Sequence, residues 1–142
     1  MAVEKKGVLG TYYVRGGDDV WTEEHMKTNA LYIAKYLTTK YKDDLNKRAW
    51  SLEAVAGLCG NISNECSMDP GTSEAGTGSG FGLVQWTPGT KHSDWWKTHK
   101  GNYDDSFVLK TDRDDEKNGY KSMDAQLLHL IYEAEHAGEP GT

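Results

Sequence analysis

The sequence predicts an α+β fold, mainly α-helical, in one domain that spans residues 1–142. Three segments carry apolar residues at helical spacing between a capping residue and a stop signal. A shorter apolar stretch that follows a glycine-rich loop is typical of a strand or hairpin. Because 37% of the 142 residues are apolar, the chain is long enough to bury one modest core.

The first helix is predicted from Thr22 to about Thr39, after an N-terminal arm of residues 1–21 in which residues 11–14 could form a short strand. The Thr22 hydroxyl can cap the helix, and acidic residues follow in the first turn, where the helix dipole favours them. The predicted buried stripe consists of Met26, Ala30, Ile33 and Leu37. Residues 41–48 are charged and should form a solvated connection.

The second helix is the one around which we expect a functional site. Ser51 can cap it, and Asp69, Pro70 and Gly71 stop the chain from continuing as a helix. Its predicted buried face is Leu52, Val55, Ala56, Cys59, Ile62 and Cys66. Glu65 lies beside that face, where a carboxylate loses hydration and its pKa should rise, as a general acid near neutral pH requires.

Gly76, Gly78, Gly80 and Gly82 follow this helix at alternate positions and lead into an apolar run over residues 81–86. We predict a short strand or hairpin there, which would form a cleft wall beside Glu65. A further helix should cover residues 91–100 and carry Trp95 and Trp96, whose indoles could reach the cleft. We predict that residues 102–119 form a long surface segment and that Ser122 caps a last helix.

Several motifs in this order resemble the phage tail lysozyme family, which belongs to the lysozyme superfamily. The resemblance covers roughly residues 21–133, and the segments that carry it are 28–33 (TNALYI), 60–67 (GNISNECS), 69–71 (DPG), 80–88 (GFGLVQWTP) and 123–133. It implies a lysozyme-like fold with a central catalytic helix and a small hairpin at the cleft, and cleavage of the peptidoglycan glycan strand. The pattern is also similar to goose-type lysozymes and lytic transglycosylases.

The resemblance implies that Glu65 protonates the glycosidic oxygen as the leaving group departs. Glu74 is the candidate second carboxylate, a base that holds a water on the opposite face of the sugar, although some members of the superfamily manage with one carboxylate. Asp69 reads as a turn residue and Asp94 as a helix-end charge. The candidate substrate contacts are Gln85, Trp86 and Trp96, and core packing is the alternative for each.

Other classes of function are disfavoured. A net charge of −6 argues against nucleic acid, and no apolar run is long enough to span a membrane. The N-terminus lacks the hydrophobic region of a signal peptide, which suits a virion component that acts on the host cell wall. The glycine spacing does not match a nucleotide-binding loop.

We expect no cofactor and no metal. The pairs formed by His92 with His99 and by His129 with His136 are seven residues apart, which is too far for ligation from adjacent helical turns, and a loose calcium-loop pattern after Asp114 lacks its closing glutamate. Cys59 and Cys66 are too far apart along one helix for a disulfide.

The predicted partners are bacterial peptidoglycan and either other phage tail proteins or a further domain, because the family continues with helical sequence that has no counterpart before Thr142. The predicted activity is therefore a muramidase that cuts between N-acetylmuramic acid and N-acetylglucosamine. A lytic transglycosylase and a non-catalytic structural or wall-binding tail module are the alternatives.

Overall fold

The computed structural model describes residues 2–16, 21–39, 50–66, 68–72 and 80–137, and the side chains of residues 52 and 63–66 lie outside that description. The described part is mainly helical with one small antiparallel sheet, which confirms the predicted fold class. In chain order its elements are β1 (Val3–Gly7), β2 (Gly10–Val14), α1 (Glu23–Thr39), α2 (Leu52–Cys66), α3 (Lys91–His99), α4 (Lys110–Asp114) and α5 (Met123–Glu135), with short 3₁₀ turns at Lys100–Asn102 and Gly119–Lys121.

The N-terminal arm is a hairpin that packs on the helical core. The strand predicted for residues 11–14 is confirmed as β2, and it pairs with β1 and packs against α1. Tyr12 is buried at its centre. The turn between the strands is fixed from the far end of the chain, because the Asp124 carboxylate accepts from Val8 N (2.9 Å) and from the Tyr32 hydroxyl.

Of the strand or hairpin predicted for residues 81–86, the strand is wrong. These residues form a turn, here called the 80–86 turn, which is closed by one antiparallel bridge between Phe81 and Trp86. Gly82 and Gln85 have positive φ angles of 87° and 54°, a left-handed conformation that breaks the extended backbone a strand needs. The small sheet of the fold is therefore the N-terminal hairpin.

The predicted helix starts are confirmed by their caps. Ser51 Oγ accepts from Ala54 N at 3.0 Å, Ser122 Oγ from Ala125 N at 3.1 Å, and Thr22 Oγ1 from His25 N at 3.3 Å. Each hydroxyl satisfies a backbone donor that the first turn would otherwise leave unpaired. The predicted connection at residues 41–48 lies outside the described residues.

The buried face of α2 is narrower than the sequence predicts. Val55 and Ile62 are buried and Cys59 is half-buried, but Ala56 is exposed. The reason is that α2 makes its principal described helix contact with α1, and this contact covers one edge of the helix. Residues 102–119 are less open than predicted, since they include α4 and the fully buried Val108.

Candidate functional site

Glu65 is the second-to-last residue of α2, so its backbone is placed at the C-terminal end of the helix, as predicted. Its side chain lies outside the described part of the structure, and so does residue Glu74. Their roles as acid and base therefore stay predictions. What the structure does describe is the framework around the end of α2.

The turn that follows α2, residues 68–72, is stabilised by the buried carboxylate of Asp69. Asp69 Oδ1 accepts from Gly71 N at 2.9 Å and from Arg15 N at 3.2 Å, and Oδ2 accepts from Thr72 Oγ1 at 3.1 Å. This geometry confirms Asp69 as a turn residue that bonds nearby backbone. The bond from Arg15 N also links the turn to the residue that follows β2.

Asn29 of α1 holds the same turn from the other side. Its side-chain amide is fully buried and pairs with both backbone groups of Tyr13, accepting from N and donating to O at 2.8 Å each. The same Nδ2 donates to Met68 O at 2.9 Å. One amide thus links the hairpin, α1 and the exit of α2, and Met68 can keep its positive φ of 67° within this network.

The 80–86 turn lies directly beside the turn after α2. Gly82 N donates to Thr72 O at 2.8 Å, and Gln85 Nε2 donates to the same oxygen at 3.2 Å and to Gly82 O at 2.8 Å. A Cβ atom on Gly80 would lie 2.7 Å from Gln85 Cβ, so this close approach requires glycine. The Gln85 amide nitrogen is therefore engaged within the turn.

Gln126 of α5 joins the two turns. Its buried Oε1 accepts from Leu83 N at 2.8 Å, and its Nε2 donates to Pro70 O at 2.7 Å and to Lys121 O at 3.1 Å. A Cβ atom on Gly82 would lie 2.6 Å from Gln126 Oε1. The framework beside the end of α2 therefore depends on a neutral amide in the core. Asn29 and Gln126 are called the amide clamp below.

Trp86 ends the 80–86 turn and is only 4% exposed. Its Nε1 donates to Glu133 Oε1 at 2.7 Å, and the other carboxylate oxygen of Glu133 lies 3.4 Å from Lys91 Nζ. Burial thus fixes the rings of the indole, and the hydrogen bond to Glu133 fixes its polar edge. As a sugar contact Trp86 stays a prediction, and the described packing favours a structural role.

The Trp86 ring belongs to a stack with alternating indoles and imidazoles. His129 lies between Trp86 and Trp95 with ring centroids 4.4 Å apart on each side and planes within 4° of parallel, and His99 stacks on the far face of Trp95. These four residues are called the ring stack below. Such parallel contacts add to the stabilisation from burial.

His129 also pairs with His92 across the interface of α3 and α5. Their Nδ1 atoms are 2.8 Å apart, and His92 Nε2 is 2.6 Å from Tyr120 O. A carbonyl only accepts, so His92 Nε2 carries the proton, and in neutral His92 the Nδ1 atom is the acceptor for a proton on His129 Nδ1. His129 Nε2 is then unprotonated, 4.0 Å from Glu133 Oε1.

Both imidazoles are held in the neutral form. Burial lowers the pKa of His92 to about 4, an effect that its bond to the Tyr120 carbonyl partly offsets. Burial also lowers the pKa of His129, and the nearby His92, Lys91 and His99 lower it further. The sequence spacing of these histidines gave no sign that two of them would meet across helices.

Trp96 is 2% exposed and packs in the core, stacked on Tyr103 with centroids 6.2 Å apart. The described packing does not support its predicted sugar contact, which stays a prediction, as does that of Gln85. Asp94 is confirmed as an exposed acid in the first turn of α3. Cys59 is a free thiol, and the side chain of Cys66 lies outside the description.

Among the residues that the structure describes, no three His, Cys, Asp or Glu side chains are arranged to hold a metal ion. In the same part of the chain, no helix is both long enough and apolar enough to cross a membrane.

Sequence reasoning assigned no role to Asn29, Gln126 or Glu133, although all three lie in segments that carry the family resemblance. The signal that could have indicated Asn29 and Gln126 is their spacing. Asn29 precedes the buried Tyr32 and Ile33 on α1 by three and four residues, and Gln126 precedes the buried His129 and Leu130 on α5 by the same spacing, so each amide lies on a buried helix face.

Comparison with known proteins agrees with this architecture. Morphogenesis protein 1 of Bacillus phage B103 is 33% identical over 117 residues, which cover 80% of this chain and 25% of that protein. The chain thus matches about a quarter of the length of this relative. A model of the phage tail lysozyme family matches residues 28–141, from α1 to beyond α5. Since this match includes most of the chain, the protein belongs to the phage tail lysozyme family.

Proposed function

We propose that the protein is a glycoside hydrolase that cleaves the bond between N-acetylmuramic acid and N-acetylglucosamine in peptidoglycan, with Glu65 as the general acid. The observation that carries the proposal is the place of Glu65 in the last turn of α2, directly before a turn held by Asp69, Asn29 and Gln126. A catalytic group gains from a rigid support, since small displacements are costly to the reaction.

The position also suits an acid. The C-terminal end of a helix carries partial negative charge from its unpaired carbonyls, and this charge disfavours an ionised carboxylate. This charge and the loss of hydration expected beside an apolar helix face both favour a Glu65 that is protonated when substrate arrives. The proton would pass to the glycosidic oxygen as the bond to the sugar breaks.

Glu74 is the proposed base. It belongs to the segment between the two turns, which Gly82 N and Gln85 Nε2 bring together at Thr72 O. We propose that the carboxylate of Glu74 holds a water for attack on the sugar.

The test compares two glutamates of the same helix. Glu65→Gln should lower the release of muropeptides from purified peptidoglycan at least about a hundredfold, because the amide keeps the shape and loses the proton. Glu53→Gln, an exposed change in the first turn of α2, is the matched control and should leave the rate within about twofold. Equal rates for the two variants would contradict the proposal.

In the same assay, the reaction products distinguish a hydrolase from a lytic transglycosylase. Hydrolysis gives muropeptides with reducing ends, whereas a lytic transglycosylase gives anhydro-muramyl ends and needs no attacking water. Glu74→Gln should therefore lower the turnover number by orders of magnitude only if water is the nucleophile. A wild-type chain that binds peptidoglycan and releases no fragments would indicate a non-catalytic tail module.

We also propose that the chain acts from the virion, in association with other tail proteins or a further domain. The support is the family to which it belongs and its similarity to a phage morphogenesis protein. Detection of the chain by mass spectrometry in purified virions would test this location.

A further inference from the structure

A cavity of about 510 Å³ lies between the N-terminal hairpin and residues 112–122, and Gly71 of the turn after α2 also lines it. One wall is a single face of the hairpin, formed by two cross-strand pairs: Val3 with Val14, and Lys5 with Tyr12. Side chains at alternate positions of a strand share a face, which is why these four point the same way. The volume is in the range of small-molecule sites.

The opposite wall is polar and carries both signs of charge. It includes Asp112, Asp115, Asn118 and Lys121. Asp112 is half-buried, and its Oδ2 has no hydrogen-bond partner in the described part of the chain. Burial raises the pKa of Asp112, the charge of Asp115 adds to that effect, and Lys5 acts on it from the hairpin with the opposite sign.

We propose that this cavity binds the stem peptide of peptidoglycan, a short peptide that carries free carboxylates, an ammonium group and small alkyl side chains. Lys5 and Lys121 would pair with its carboxylates, and Asp115 with its ammonium. The apolar surface of Val3 and Val14 accepts alanine methyl groups. This inference rests on the proposed function, since it concerns the same polymer.

The cavity lies close to the end of α2 along the chain. Gly71, which lines the cavity, follows Glu65 by six residues, and six residues span at most about 21 Å. A stem of four residues reaches about 13 Å when extended. The stem begins on the muramic acid at the bond to be cut, so the proposal places its far end in the cavity while the sugar lies at Glu65.

The chain offers a matched pair of variants to test the proposal. Lys5 and Lys6 are neighbours on β1 and point to opposite faces, and Lys6 Nζ donates to Thr11 Oγ1 at 2.6 Å away from the cavity. Lys5→Gln and Lys6→Gln remove the same charge from the same strand. Each variant of the full chain would be assayed on intact peptidoglycan and on glycan strands whose stem peptides have been removed by an amidase.

We expect Lys5→Gln to lower the ratio of the two rates, intact over stripped, by about fivefold, mainly through a higher KM for intact material. Lys6→Gln should leave this ratio within about 1.5-fold of the wild type. Equal ratios for the two variants would overturn the stem-peptide site while leaving the glycosidase proposal in place. A wild-type chain that cuts neither substrate would instead contradict the glycosidase proposal.

A binding measurement tests the cavity without any reaction. A free tetrapeptide of alanine, glutamate, a diamino acid and alanine, titrated into the isotope-labelled chain, should shift the amide resonances of Val3, Tyr12 and Lys121 in a saturable way. The same titration of Lys5→Gln should require about fivefold more peptide for half-saturation. The absence of saturable shifts at these residues in the wild type would overturn the proposal.

Discussion

The middle and the end of the 80–86 turn are held by different chemistry. At its middle, the backbone of Leu83 donates to the buried amide of Gln126, which also bonds the turn after α2. At its end, Trp86 is held by the ring stack and by one hydrogen bond to Glu133. The first region relies on directed bonds from an uncharged amide, and the second relies on imidazoles that must stay neutral.

Because of this difference, we expect the two regions to respond differently to acid. The amide clamp has no titratable atom, so the exit of α2 keeps the bonds from Asn29 and Gln126 at any pH at which the chain is folded. The pair formed by His92 and His129 loses its bonding pattern when either of these two imidazoles takes up a proton. We therefore infer that acid weakens the contacts of Trp86 while the bonds that the amide clamp makes to the turn next to Glu65 persist.

The largest predicted effect is a loss of stability in acid caused by the imidazole pair. The pKa of His92 is lowered from 6.5 to about 4 in the folded state, so between these values the unfolded chain binds a proton that the folded chain does not. The contribution is fully present above pH 6.5 and falls as the pH is lowered toward 4, by about 3 kcal/mol in the free energy of unfolding. Urea unfolding at a series of pH values measures it.

The variant His92→Gln separates the contribution of His92 to the pH dependence of stability from the contribution of the carboxylates. Its side-chain amide can still donate to the Tyr120 carbonyl, and it does not titrate. The wild type should lose about 3 kcal/mol more than the variant between pH 7 and pH 4. Parallel pH profiles for the two chains would show that His92 is not the acid-sensitive group.

The next largest effect is expected from breaking the amide clamp. Gln126→Ala leaves Leu83 N, Pro70 O and Lys121 O without their buried partner and should cost about 2 kcal/mol. Unlike the loss at His92, this cost should be the same at pH 7 and pH 5. Asn61→Ala, an exposed amide on α2, is the control and should change stability by less than about 0.5 kcal/mol. A pH-dependent cost for Gln126→Ala would contradict the proposed separation of the two regions.

The sequence predicts the parts of this framework that depend on local signals. Helices α1, α2 and α5 follow from apolar periodicity and hydroxyl caps, and the turn role of Asp69 follows from its place before Pro70 and Gly71. These features involve residues only a few positions apart. Local preferences therefore suffice to predict them.

The features that the sequence did not predict depend on residues far apart along the chain. Gln126 meets Leu83 across 43 positions, and His92 meets His129 across 37. The wrong strand prediction at residues 81–86 has the same origin, because an apolar run that alternates with glycine satisfies a strand pattern and a turn buried against α5 equally well. The bond from Leu83 N to Gln126 and the positive φ angles of Gly82 and Gln85 distinguish the turn from a strand.

The smallest predicted effect concerns the charge of Glu133. Glu133→Gln keeps an oxygen that can accept from Trp86 Nε1 and removes only the ion pair with Lys91, whose side chain is 45% exposed while that of Glu133 is 31% exposed. Solvent screens a pair of this kind, so the free energy of unfolding at pH 7 should change by less than about 0.5 kcal/mol. Glu133→Ala removes the acceptor as well and should cost about 1 kcal/mol.

Lys91→Gln, which breaks the same ion pair from the other side, is the control and should match Glu133→Gln. If Glu133→Gln costs as much as Glu133→Ala, the charge rather than the hydrogen bond holds Trp86, and the ring stack depends on titratable groups at its polar edge as well as at its centre.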